Sequence, residues 1–191
     1  MGIFDRLKRN MNEPTKVGSE SDTAKSGQQE APMEAALKDL YNQLAQQILA
    51  MIPGKWETVY YLGEVEKARN SWSSVFYFKD PDRGEFVDSN TIPKVYQVPN
   101  SVYMEQWLQL NKILLEVYDH FAARKQPLWE QMSFSFDKTG KFHVDFNYDV
   151  MHDKDGGQLG RELVWAHRTF GYEPEEGSSQ RKLLNRYLNR A

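Results

Sequence analysis

Residues Pro127 to Pro174 read PLWEQMSFSFDKTGKFHVDFNYDVMHDKDGGQLGRELVWAHRTFGYEP, and the first half of this stretch decides the fold. Met132, Phe134 and Phe136 alternate with Ser133 and Ser135; after a short turn, Phe142, Val144, Phe146 and Tyr148 alternate with Lys141, His143, Asp145 and Asn147. Successive strand residues point to opposite faces, so this two-residue period describes a hairpin with one apolar and one polar side. Asp137-Lys138-Thr139-Gly140 is the connection, with Gly140 taking the left-handed conformation that closes a type I turn with a bulge. The apolar side must be covered by other elements. The polar side is expected to stay open to a partner.

Outward from the hairpin, Pro32 suits the first residue of a helix, where its missing N–H is harmless. Met33, Leu37, Leu40, Leu44, Ile48 and Ile52 then form a stripe at steps of three and four, ended by Pro53-Gly54. Strands are expected at Glu57–Val65, Ser71–Phe78 and Glu85–Val87, split by polar turns, and Pro93 and Pro99 bracket a loop. A long helix follows from Ser101 to Arg124, with Tyr103, Trp107, Leu110, Leu114, Val117 and Phe121 as its core line. Leu159–Phe170 and Ser179–Asn189 read as two closing helices, the first stopped by Gly171. The order αβββα-ββ-αα gives an α+β fold, a single antiparallel sheet with helices packed on one face.

At 191 residues the chain suits one domain over 32–191, preceded by a tail over 1–31. Glu13 to Ala31 is rich in Ser, Gly, Gln, Lys and Glu and lacks aromatics, so it reads as a disordered linker. Ahead of it, Ile3, Phe4, Leu7 and Met11 stand at helical spacing and describe a short amphipathic segment, suited to a membrane or a protein groove. Met1-Gly2 lacks the Ser or Thr that myristoylation wants at position six, which is Arg6. There is no cysteine, which excludes disulfides, thiolate metal sites and cysteine nucleophiles and fits a cytoplasmic location. No secretory signal or apolar run of transmembrane length is present.

The net charge of −3 is unevenly spread: residues 32–176 carry 15 basic and 22 acidic side chains, while 177–191 hold Arg181, Lys182, Arg186 and Arg190 and no acid. An acidic body is a poor direct ligand for nucleic acid, whose phosphates require cations, and a good one for a basic protein. Asp145, Asp149, Asp153 and Asp155 fall on or just after the polar side of the hairpin and are the candidate partner-binding carboxylates. Trp72, Tyr77 and Trp129, near strand ends or loops, are the candidate aromatic anchors.

Enzymatic signatures are lacking. No HExxH, GxSxG, P-loop or GxGxxG pattern occurs in the right context. His143 beside Asp145 is the one pair suited to acid–base work, and no nucleophile or oxyanion site accompanies it. Met151 to Glu162 resembles a calcium loop, with Asp153, Asp155, Gly156 and Glu162 in place, but Met151 stands where the first carboxylate ligand belongs. No catalytic residue, metal or cofactor is therefore assigned.

These residues also carry a family resemblance. The apolar-Ser-Phe-Ser-Phe strand, Asp137-x-x-Gly140-Lys141-Phe142, Asp145-Phe146-x-Tyr148-Asp149, Trp165 and Gly171-Tyr172-Glu173-Pro174 resemble the YezG-type immunity proteins. Trp56, Gly63-Glu64-Val65, Val75-Phe76-Tyr77-Phe78 and Ile92-Pro93 occur upstream in the same order, so the resemblance spans Met33 to about Leu188. Two departures are Asp149-Val150, where the family often has Asp-Leu, and His143 at a position commonly charged. The resemblance implies a cytosolic antitoxin that neutralises a cognate toxin by binding it, the toxin being exported by the type VII system and bearing a nuclease domain. The alternative is a non-catalytic regulatory adaptor that binds another protein or complex through its sheet face.

Overall fold

The computed structural model describes residues 27–151 and 157–189, with side chains from residue 35. They divide into two compact units, Met1–Tyr148 and Asp149–Ala191. The expected amphipathic segment and most of the expected linker lie outside the described residues.

In the first unit, helix α1 (Gly27–Met51) precedes strands β1 (Thr58–Val65), β2 (Trp72–Asp80) and β3 (Glu85–Asp88). A 3₁₀ turn (Ser89–Thr91) and a short helix α2 (Ile92–Val95) lead to the long α3 (Asn100–Ala123), then to β4 (Gln131–Asp137) and β5 (Phe142–Asn147). All pairings are antiparallel and the order is β3-β2-β1-β4-β5. The long α3 carries the chain from the β3 side of the sheet to the far side of β1, which places β1 at the centre.

Most boundaries shift by one or two residues, and β2 runs on to Asp80; three differences have a local cause. Helix α1 begins at Gly27, five residues before Pro32, because Gln28 to Ala31 are good helix formers ahead of the proline. Pro93 lies inside α2 and not in an open loop, since proline is well placed in a first helical turn. Gly157 opens the helix expected from Leu159.

The core lies between the sheet and helices α1 and α3. Leu44, Ala45 and Ile48 from α1 and Leu110, Leu114 and Val117 from α3 are fully buried against Val59, Tyr61, Phe76, Phe78, Met132 and Phe134. Burying one such side chain contributes about 1.5–3 kcal/mol, which is what holds two long helices on one face. The Gln47 amide donates to the Gln106 carbonyl at 3.0 Å and tethers α1 to α3. Gly63 sets how closely α3 approaches the sheet. A Cβ there would stand 2.5 Å from Leu114 Cδ1 and 2.7 Å from the Tyr61 hydroxyl, so only glycine fits.

The polar side of the sheet is narrower than expected. On β4 and β5 it carries Ser133, Ser135, His143, Asp145 and Asn147, but on β1 and β2 the same face carries Leu62, Val75 and Tyr77, each no more than 2 % exposed. The runs Val59 to Leu62 and Val75 to Phe78 are apolar at both parities and bury both faces of the central strands.

In the second unit, α4 (Gly157–Phe170) and α5 (Ser179–Leu188) join Leu163, Leu183 and Leu184 in a small core. Gly160 admits the Tyr187 ring, whose Cε2 would lie 2.6 Å from a Cβ. The motif Gly171-Tyr172-Glu173-Pro174 is structural. Gly171, at φ +71°, donates its N–H to the His167 carbonyl and ends α4. Glu173 pairs with Arg181 at 2.6 Å, and Ser178 caps α5 by accepting the Arg181 N–H at 3.1 Å.

Candidate functional site

The outer surface of the β4–β5 hairpin is the best-defined polar surface of the first unit. Its turn is rigid. Gly140, at φ +86°, donates to the Asp137 carbonyl at 3.0 Å, and Asp137 Oδ1 accepts from the Thr139 N–H, the Thr139 hydroxyl and the Lys141 N–H. Burial works against ionisation of Asp137, but these hydrogen bonds outweigh it and hold the carboxyl below its ordinary range. Its charge is thus committed to the turn.

Along the hairpin, ladder pairing sets Ser135 beside His143, Ser133 beside Asp145 and Gln131 beside Asn147. His143 Nε2 lies 2.7 Å from Asp145 Oδ2, with both side chains about 70 % exposed. The Asn147 amide donates to Gln131 at 3.0 Å, and Gln131 in turn donates to Glu64 at 2.9 Å. Thr58, Tyr60, Ser135, Asp137, Lys141 and His143 rim a shallow depression of about 200 Å³ at the turn end.

Ser135 opposite His143 escaped the sequence reading, because cross-strand register is not visible from spacing alone. It superficially completes a Ser–His–Asp set. However, among the described residues no hydrogen bond joins Ser135 to His143, and the pair stands in bulk water, where no fixed dipoles are aimed at a developing charge. The arrangement suits recognition. Among the described residues there is also no group of three acidic or histidine side chains able to hold a metal.

The candidate anchors separate. Trp72 opens β2 opposite Val65 and is 43 % exposed, as an anchor requires. Tyr77 and Trp129 are interior, at 1 % and 0 % exposure, so neither is a surface anchor in this structure. Tyr77 lies mid-strand between Tyr60 and Asp88. Trp129 is enclosed by the rings of Tyr118, Phe121 and Phe146, because the Glu130 carbonyl accepts the Val65 N–H at 2.9 Å and draws the segment into the sheet.

Among the carboxylates, Asp145 and Asp149 are exposed, on β5 and at the start of the second unit respectively. Asp153 and Asp155 lie outside the described residues. They belong to residues 152–156 of the suspected calcium loop, whose final position, Glu162, is buried within α4 and accepts from Gln158 at 2.7 Å.

A further exposed set was missed. Val102, Met104 and Leu108 on α3 are 43, 48 and 58 % exposed. Met104 and Leu108 each follow a core position by one residue, so they form a second apolar line that the first masks. Among the described residues no helix is long and apolar enough to cross a membrane.

Comparison with known proteins gives a consistent answer. Residues 37–184 match the family described as Immunity protein YezG-like, a span that runs through both compact units. Immunity protein YezG of Bacillus spizizenii is 30 % identical over 152 residues, 78 % of this chain and 91 % of that protein. Type VII secretion system protein EsaG of Staphylococcus aureus is 29 % identical over 143 residues, 74 % of this chain and 86 % of its own length. Immunity protein YezG of Bacillus subtilis is 24 % identical over 140 residues, 73 % of this chain and 91 % of that protein.

Proposed function

The chain belongs to the YezG-like immunity protein family, and from that premise we propose that it binds a cognate toxin in the cytoplasm and neutralises it by covering the active site of a nuclease domain. The similarity to a type VII secretion system protein supports a toxin exported by that route. The observation that carries the reading is the family match over most of the chain, combined with an acidic body that exposes Asp145 on a polar strand face and Asp149 just beyond it. A nuclease must present cations to phosphate, and those cations are what a carboxylate surface can occupy.

Asp145, Asp149, Asp153 and Asp155 are the proposed electrostatic contacts, with Trp72 as the aromatic beside them in function. Binding alone suffices for occlusion, so no catalytic step by this chain is required. A second reading, an adaptor for another protein, is favoured by the exposed apolar residues Met104 and Leu108, one turn apart on α3.

The test is association of the full chain with the toxin across a salt series. Asp145→Lys with Asp149→Lys should slow association and flatten its salt dependence, leaving the melting temperature unchanged, since both carboxylates are exposed. Unchanged association would move the contact to another surface. Loss of binding on replacing Met104 and Leu108 by Ser, with the aspartates without effect, would favour the α3 surface.

A further inference from the structure

We propose that the chain forms a twofold-symmetric dimer by antiparallel pairing of β5 with β5 of a second copy, in a register centred on Val144. Strand β5 ends the sheet, and among the described residues no strand pairs with its outer side. Two hydrogen bonds fix which backbone groups lie on that side. The Asp137 N–H donates to the Lys141 carbonyl at 3.0 Å, and the Val65 N–H donates to the Glu130 carbonyl at 2.9 Å. In an antiparallel ladder both polar groups of a residue point the same way and alternate along the strand. Lys141, His143 and Asp145 therefore turn theirs toward β4, while Phe142, Val144 and Phe146 turn theirs outward.

The side chains repeat the message. Met132, Phe134 and Phe136 on β4 are at most 2 % exposed, while Phe142, Val144 and Phe146 in the next row are only half-buried. The apolar layer is unfinished along this edge. Edge strands commonly carry a lysine, a proline or a bulge against pairing, and Phe142–Asn147 contains neither lysine nor proline.

The sequence of the strand is nearly palindromic, Phe-His-Val-Asp-Phe over residues 142–146. Centred on Val144, the twofold pairing sets Phe142 opposite Phe146 of the second copy and Val144 opposite its counterpart. It sets His143 opposite Asp145 of the second copy, twice. The outward N–H and C=O groups of Phe142, Val144 and Phe146 all meet partners in this register. Shifting by two residues places His143 over His143 or Asp145 over Asp145, and shifting by one sets apolar residues against polar ones. Aromatic pairs and a histidine able to hydrogen-bond a carboxylate stabilise a ladder, and two carboxylates face to face oppose it, so the pattern selects one register and one occupant, a second copy of this chain.

The dimer goes beyond the toxin reading and does not rest on it. Sedimentation of the full chain without toxin, over a concentration series, should show a monomer–dimer equilibrium. His143→Asp sets carboxylates opposite each other and should weaken dimerisation on the order of tenfold, while the swap His143→Asp with Asp145→His should restore it. Both positions are about 70 % exposed, so the melting temperature serves as a control for folding. The measurement contains no toxin, so its failure leaves the immunity reading standing, and failure of toxin binding leaves the dimer standing. Because the chain has no native cysteine, spin labels placed at Lys141→Cys report the geometry, with Cα atoms about 20 Å apart across the twofold. A chain that stays monomeric to its solubility limit overturns the proposal. So does a dimer indifferent to His143→Asp, or one whose labels lie far from this separation.

Discussion

Replacing Phe134 by Ala tests the packing on which the hairpin surface rests. Phe134 is fully buried, its ring 5.3 Å from Phe136, 6.1 Å from Tyr41 on α1 and 6.4 Å from Phe142. A phenylalanine buries roughly 200 Å², which at about 25 cal/mol per Å² sets an upper bound near 5 kcal/mol. Measured losses for buried Phe→Ala run from about 3 to 5 kcal/mol, a large share of the roughly 5–15 kcal/mol that stabilises a typical domain. Phe146→Ala should cost less, on the order of 2 kcal/mol. Its ring packs 4.9 Å from Phe121 and 5.4 Å from Trp129, yet the side chain is only half-buried at the sheet edge. Ser135→Ala, on the opposite face, should lie within about 0.5 kcal/mol of the parent. The assay is urea unfolding followed by tryptophan fluorescence, with buried Trp129 as a reporter in the same unit. Similar losses for Phe134→Ala and Ser135→Ala would refute the assigned faces, and a larger loss for Phe146→Ala, measured at concentrations where the chain is monomeric, would refute β5 as the edge strand of the sheet.

Gly63→Ala should destabilise by about 1–3 kcal/mol in the same assay, because Leu114 and the Tyr61 hydroxyl must both move, and Leu114→Ala in the same chain should recover part of the loss. Burial, helped by nearby Arg124, lowers the pKa of His120, whose Nε2 is buried without a hydrogen-bond partner among the described residues. The folded chain thus binds this proton less readily than the unfolded chain. The contribution is present above the unfolded value near 6.5 and is lost as pH falls through the lower folded value. His120→Asn should flatten that acid limb in a series of melting curves. Ser178→Ala removes the cap of α5 and should cost the second unit about 1 kcal/mol, read by helical circular dichroism on heating.

The hairpin was legible because one period governed it and a glycine marked its turn. The helical lines of α1 and α3 were legible for the same reason. Strand order was not, since the helix-bearing connection through α3 hides that β1 pairs with both β2 and β4. Tyr77 and Trp129 misled because proximity to a loop in sequence says nothing of a carbonyl such as that of Glu130, which pulls its neighbour into the interior. Gly171 was legible as the stop of α4, while Gly63 and Tyr172-Glu173-Pro174 were read only as marks of resemblance; Gly63 makes room for Leu114, and Glu173 pairs with Arg181. The exposure of Met104 and Leu108 was not legible, because each follows a residue of the core line and the stronger pattern masks the weaker.

The most direct test of the immunity reading is co-expression of this chain with a candidate toxin from the same genome, with toxin activity and complex formation measured on the same samples. The account predicts a stable complex, loss of nucleic-acid cleavage in proportion to complex formed, and recovery of cleavage when Asp145→Lys and Asp149→Lys weaken the complex. Cleavage that continues undiminished at saturating immunity protein, or a chain that binds no toxin from its own genome, would contradict it.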